Sequence, residues 1–92
     1  MLEFEWGDEK AAGNVAKHSV AFSDACRLFN GIYALHYIDR SMVYEEERFV
    51  SIGIVNGVVL TVVYTERSDR IRLISARKAT RHEQKAYDEA RI

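Results

Sequence analysis

Four arginines, Arg48, Arg67, Arg72 and Arg77, are the residues of this 92-residue chain best suited to holding an anion. A guanidinium group is planar and always charged, and its fork matches two oxygens of a phosphate or a carboxylate at once. Glu47 and Glu66 each stand beside one of these arginines in sequence. With His18 and His82 they are the candidates for moving protons. Such a set contains what cleavage of an RNA phosphodiester requires without a metal. A base takes the 2′-hydroxyl proton, a cationic clamp stabilises the charge building on the phosphate, and an acid protonates the leaving 5′-oxygen. A glutamate beside arginines has its pKa lowered, which weakens it as a base, while burial acts the other way. Lys17, His18, Arg70 and Lys78 are further cations that could grip a substrate around such a centre.

Other chemistries find little support. No set of Cys, His, Asp and Glu has the spacing of a zinc or iron site. There is no phosphate-binding glycine loop, so no nucleotide cofactor is expected. The single cysteine, Cys26, cannot form an internal disulfide and carries no sign of being a nucleophile. Each histidine also has a purely structural reading. His18 ends a helix, where a cation interacts favourably with the last carbonyls. His36 alternates within a strand, and His82 faces solvent in the first turn of a helix.

Length and composition describe one domain, residues 1–92, with 48% hydrophobic and 29% charged residues. A chain this short buries about two-thirds of its surface on folding, so its core is thin and a partner could complete it. No apolar run is long enough to span a membrane. The acidic start MLEFEWGDEK lacks an apolar signal core, which places the chain in the cytoplasm. The net charge of −1 hides an asymmetry: residues 67–92 carry eight basic against four acidic groups, and residues 1–66 carry five against ten. A basic C-terminal third can draw phosphate, or it can be plain solvated surface.

The elements that would position these side chains read as α+β. Glu3–Trp6 is a short strand. Asp8 caps a helix to about His18, with Ala11, Ala12 and Val15 facing inward. Ser23 caps a second helix with the stripe Ala25, Cys26 and Phe29, stopped by Asn30-Gly31 in left-handed conformation. The period then changes. Ile32–Ile38, Arg48–Val55, Val58–Thr65 and Arg70–Ala76 are strand-like and form an antiparallel meander of about four strands. Asn56-Gly57 is a strong type I′ hairpin signal, and Ser68-Asp69 is a second tight turn. Thr80 and Glu83 form a capping box for a C-terminal helix whose apolar face, Ala79, Ala86, Tyr87 and Ala90, is narrow.

Two-residue turns fix the register. Arg48, Thr65 and Arg72 then share one row on one face of the sheet, with Glu46, Arg67 and Arg70 in the next row. Val50, Ile52, Val63 and Ile74 follow on that face. Glu47, Phe49, Leu60, Tyr64, Glu66, Ile71 and Leu73 lie on the other, and Arg77 falls there too, near Leu60. Like charges opposed across strands repel. Such a cluster calls either for a bound anion or for surface ion pairs with Glu46 and Glu47, which contribute little.

These residues, in this order, resemble the BrnT family of toxins, whose fold is similar to that of RelE-type ribonucleases. The resemblance rests on Phe4, Trp6, Lys10, Asn14, Lys17-His18, Val20 and Phe22. It continues through Glu47-Arg48-Phe49, Ile52-Gly53 and Val62–Arg67, and through Ile71–Thr80 with its Ser75-Ala76-Arg77, to Glu83 and Tyr87. The family usually has Asp directly after the tryptophan and Gly after Lys-His, where this chain has Gly7 and Ser19. The resemblance implies translation arrest by RNA cleavage. It also implies neutralisation by a ribbon-helix-helix, BrnA-like antitoxin that carries the complex to operator DNA. A non-catalytic binding module, acting as co-repressor or toxin relic, is the alternative.

Overall fold

The computed structural model describes residues 2–31, 33–43 and 45–91. Strand β1 (Glu3–Glu5) leads into helix α1 (Asp8–His18). A single α-turn, α2 (Phe22–Ala25), continues as a 3₁₀ segment (Cys26–Asn30). Four strands follow, β2 (Ala34–Asp39), β3 (Arg48–Val55), β4 (Val58–Arg67) and β5 (Arg70–Lys78), before helix α3 (Arg81–Ala90). The α+β fold expected from the sequence is the one observed. The sheet order is β1-β5-β4-β3-β2, with the last four strands antiparallel. β1 pairs with β5 in parallel, which makes the sheet mixed.

Both hairpins form as the turn chemistry demands. Asn56 and Gly57 take positive φ at 51° and 79°, and Val55 pairs with Val58. Ser68 turns at φ 56°, setting Arg67 opposite Arg70 and Thr65 opposite Arg72. The register then shifts between Val63 and Tyr64. Leu73 faces Tyr64, but Ser75 faces Val63, so Ile74 is the extra residue of a β-bulge. The bulge overturns one expectation. Beyond it Arg77 pairs with Thr61, not Leu60, and stands on the same face as Arg72; Lys78 takes the place beside Leu60. Nothing in Leu73-Ile74-Ser75 distinguishes a bulged from a regular strand.

The sheet has two layers of cover. One face packs Leu60, Val62, Tyr64, Ile71, Leu73 and Ala76 against Val20, Phe22, Ala25 and Leu28 of the N-terminal half. The other packs Val50 and Ile52 against Tyr87 of α3, with Leu35, Val59, Val63 and Ala79 around them. This second cluster is small, and α3 covers only part of its face, in keeping with its narrow stripe. The capping box of Thr80 and Glu83 is present.

Several local expectations are corrected. Ala12 is exposed and Val15 is 47% exposed; α1 turns Ala11, Asn14 and His18 inward. Polarity misleads here because Asn14 has a backbone to satisfy. Its Nδ2 donates to the carbonyls of Val20 and Ala76, each at 2.8 Å, and its Oδ1 accepts from the Ala76 N–H at 3.1 Å. β1 pairs β5 only at Arg70–Arg72, so one amide side chain stands in for the missing strand at Ala76. Gly7 rather than Asp8 is the N-cap of α1, and Ala21 rather than Ser23 is the N-cap of α2. The second helix tightens to 3₁₀ after one turn and ends at Gly31 with extended φ/ψ, not a left-handed one. The left-handed helix end is instead Ser19, at φ 59°. Of the strand expected over Ile32–Ile38, Ile32 lies outside the described residues.

Candidate active site

The half of the sheet face that α3 leaves open holds a cleft of about 330 Å³. Its walls come from three sources: Arg48 on β3, Thr65 and Arg67 on β4, and Arg72 and Ile74 on β5. Lys10 of α1 and the loop carboxylates Glu45 and Glu46 complete it. The two hairpin turns bring Arg48, Thr65, Arg67 and Arg72 together, since each turn fixes the register of the strands it joins. The parallel pairing of β1 brings in α1, because Glu5 sits opposite Arg72 and the chain enters the helix three residues later, at Asp8. That is how Lys10 reaches the cleft, and why a Cβ on Gly7 would lie 3.6 Å from Arg72 Nη2.

The guanidinium groups are partnered by carboxylates. Arg67 grips Glu46 through two bonds, at 2.6 and 3.1 Å, with both side chains nearly half exposed. Arg72 donates to Glu5 at 2.9 Å, and Arg70 lies 3.3 Å from Glu3 and 3.7 Å from Glu5. The Glu46 carboxyl is held below its ordinary range first by the hydrogen bond from Arg67. Desolvation opposes this, and the lesser charge effects of Arg67, Arg72 and Arg48 add to the lowering. Arg67 is raised in turn, chiefly by its bond to Glu46.

Arg77 is held differently. It lies on the same face, five positions along β5 from Arg72, and at about 3.3 Å per residue their backbones are roughly 15 Å apart. It lines a separate cleft with Tyr37, Asp39, Thr61 and Glu83. Its fork donates to both Glu83 oxygens, at 2.6 and 2.9 Å. The Thr80 N–H and the Thr61 hydroxyl donate to the same carboxylate at 2.9 and 3.0 Å. These bonds, the one from Arg77 first, pull Glu83 down to about 2. One side chain therefore caps α3 and fastens it to the sheet.

The remaining candidates fall outside the cationic cleft. Glu47 lines a cleft with Ile38, Asp39, Arg40 and Met42. Glu66 pairs with Ile71 and stands exposed at the end of the opposite face. Lys17 and His18 occupy the last turn of α1, the first exposed and the second half-buried. Lys78 is exposed on the Leu60 side, and His82 is exposed on α3. Burial pushes the Cys26 thiol up, away from the reactive thiolate. No group of three or more metal-ligating acids, histidines or cysteines gathers among the described residues. No helix among them is long and apolar enough to cross a membrane. Sequence reasoning missed Lys10, Glu45 and Glu5 as members of the site. Only the β1–β5 pairing, which no local pattern announces, could have supplied Lys10 and Glu5.

The chain is thus a small α+β fold with a cationic cleft on the open half of its sheet and a capped helix over the other half. The chain belongs to the family described as ribonuclease toxin, BrnT, of type II toxin–antitoxin systems, whose profile matches residues 6–83. The match spans all four arginines and Glu83. No curated protein matches the chain.

Proposed function

We infer that this protein is a metal-independent endoribonuclease whose cleavage of RNA in the cytoplasm inhibits translation. Arg48, Arg67 and Arg72 hold the scissile phosphate, assisted by Lys10. The observation that carries this reading is the gathering of Arg48, Arg67 and Arg72 around one cleft, where Arg67 grips the Glu46 carboxylate. That carboxylate occupies the position a phosphate would take, on a loop from which it can be displaced. Arg67 and Arg72 exchange their glutamates for phosphate oxygens and stabilise the charge that develops there. Glu45, the other carboxylate that lines this cleft, then moves protons, since Glu47 lines another cleft and Glu66 stands on the opposite face. Arg70, opposite Arg67, and the more distant Lys17 and His18 extend the basic surface along which RNA lies, while Lys78 stands on the other face of the sheet. Arg77 serves by fastening α3.

Purified protein is expected to cleave single-stranded RNA in EDTA, and its induction to stop growth. Intact RNA at high protein concentration together with harmless expression would sink this reading. The ion pairs themselves favour a second one, because Arg67, Arg70, Arg72 and Arg77 all have carboxylate partners. In that reading the face is a binding module and no bond is broken. Arg72→Ala separates the two. A toxin loses growth inhibition yet still co-purifies with its antitoxin, whereas a module loses binding in step with charge and changes its salt dependence.

The partner we propose is a BrnA-like ribbon-helix-helix antitoxin that tethers the complex to operator DNA. It covers apolar surface beside α3 or along the outer edge of β2, where Tyr33 and Tyr37 are 58% and 43% exposed. Hydrogen exchange of α3 and β2 is expected to slow on antitoxin binding.

A further inference from the structure

Thr65 is the residue of the cleft whose polar atom the fold leaves unused. It stands on β4 opposite Arg72 and is 4% exposed. Its Oγ1 is shut off from solvent and has no hydrogen-bond partner among the described residues. The other buried polar side chains are all satisfied. Ser51 donates to the Tyr64 hydroxyl at 3.0 Å, Thr61 to Glu83 at 3.0 Å, and Asn14 makes three bonds to backbone. A buried hydroxyl without a partner is a net cost to folding. Valine would fill nearly the same volume in a strand without that cost. An orphaned hydroxyl on the wall of a cationic cleft is therefore matched to a group that comes from outside the chain.

We propose that Thr65 is a phosphate ligand, its hydroxyl donating to a non-bridging oxygen of the RNA phosphodiester held by Arg48 and Arg72. The assignment rests on the reading of the cleft given above. A hydroxyl proton rotates freely to meet an acceptor, while the β-branched side chain restricts where the oxygen itself can go. Arg72 lies directly across the strand pair, near enough to shield the hydroxyl. For the bond to form, Arg72 has to turn from Glu5 to the phosphate and Oγ1 has to be uncovered as it does so. The bond exists only with the anion in place, so all of it favours the bound state.

The test compares Thr65→Val, Thr65→Ser and Arg72→Ala with the parent protein. Cleavage of a short single-stranded RNA in EDTA gives kcat and KM. Thermal midpoints are read with inorganic phosphate and with chloride at matched ionic strength. Thr65→Val is expected to lower kcat/KM about 10- to 100-fold, the worth of a hydrogen bond to a charged group. Its midpoint without phosphate should equal or exceed the parent's. Phosphate should raise the midpoints of the parent and of Thr65→Ser, and that of Thr65→Val only at about tenfold higher concentration. Thr65→Ser should restore most of the lost cleavage. The proposal is overturned if Thr65→Val cleaves and responds to phosphate like the parent. It is equally overturned if Thr65→Val loses activity together with stability, because the hydroxyl would then have a structural partner. If Arg72→Ala abolishes cleavage and the phosphate response while Thr65→Val changes neither, only the Thr65 assignment falls. If Arg72→Ala changes neither, the cleft reading falls and takes Thr65 with it.

Discussion

Arg72 and Arg77 project from one face of one strand, each bonded to a glutamate, and the two pairs have opposite meanings. The carboxylate of Glu83, the partner of Arg77, is held by two further donors, the Thr61 hydroxyl and the N–H of Thr80 at the start of α3. Removing Arg77 from it would unfasten a helix. Glu5, the partner of Arg72, ends a three-residue edge strand, and Glu46, the partner of Arg67, sits on an exposed loop. An incoming anion can replace either without disturbing the core. An ion pair therefore marks structure or readiness for ligand according to what else grips its carboxylate. The number of paired arginines alone does not decide between them.

The largest effect that could break this contrast is on cleavage. Arg72→Ala should reduce RNA cleavage by about 100-fold or more, as loss of a preorganised charge donor does. Its thermal midpoint should hardly move, because a partly exposed pair is worth about 1 kcal/mol or less. Arg77→Ala should do the reverse. Two charge-assisted bonds vanish from a mostly shielded carboxylate, costing about 2 kcal/mol, or on the order of 10 °C in midpoint for a domain of this size. Cleavage by the folded fraction should persist. If Arg77→Ala abolished cleavage at an unchanged midpoint, the two arginines would belong to one site after all.

The sequence made the cleft more legible than the helices. Asn56-Gly57 and Ser68-Asp69 are local signals with definite backbone geometry, so the row of Arg48, Thr65 and Arg72 and the Glu46–Arg67 neighbourhood could be read before any coordinates. Arg77 could not, because a single bulge at Ile74 reverses the faces of all that follows on β5. Apolar periodicity misplaced α1, since its buried position is a polar residue bonded to backbone 62 positions away. Ser23 has the right chemistry for a cap, yet the cap falls two residues earlier at Ala21 and the helix begins at Phe22, which is 2% exposed and whose packing decides the register. Lys10 and Glu5 entered the site through a parallel pairing between the two ends of the chain. Long-range pairing of so short a strand leaves no pattern in three residues.

Acid should sharpen the same contrast. Glu83 is ionised in the folded protein down to about pH 2, mainly through its bond to Arg77, against an ordinary value of 4.5. A depressed carboxylate contributes its full stabilisation above about pH 4.5 and loses it as the pH falls towards 2. The docking of α3 should loosen across that window, seen as faster hydrogen exchange in Arg81–Ala90. Arg77→Gln should flatten the response. An unchanged pH profile in Arg77→Gln would show that Glu83 draws its ionisation from the cap alone.

The smallest expected effect concerns the exposed end. Glu46→Gln removes the charge that occupies the anion position and leaves Arg67 its side chain and loop. If Glu46 stands where phosphate binds, the parent protein must displace a carboxylate before binding, and the variant must not. Inorganic phosphate should then bind the variant about two- to fivefold more tightly, a modest gain because an exposed pair offers weak competition. Raising the salt should narrow the difference, as screening weakens the internal carboxylate and the external anion alike. Thermal stability should be nearly unaffected. If phosphate affinity fell, Glu46 would be helping to orient Arg67 toward the anion. The contrast with Glu83 would then be one of degree, with both carboxylates acting as struts for an arginine.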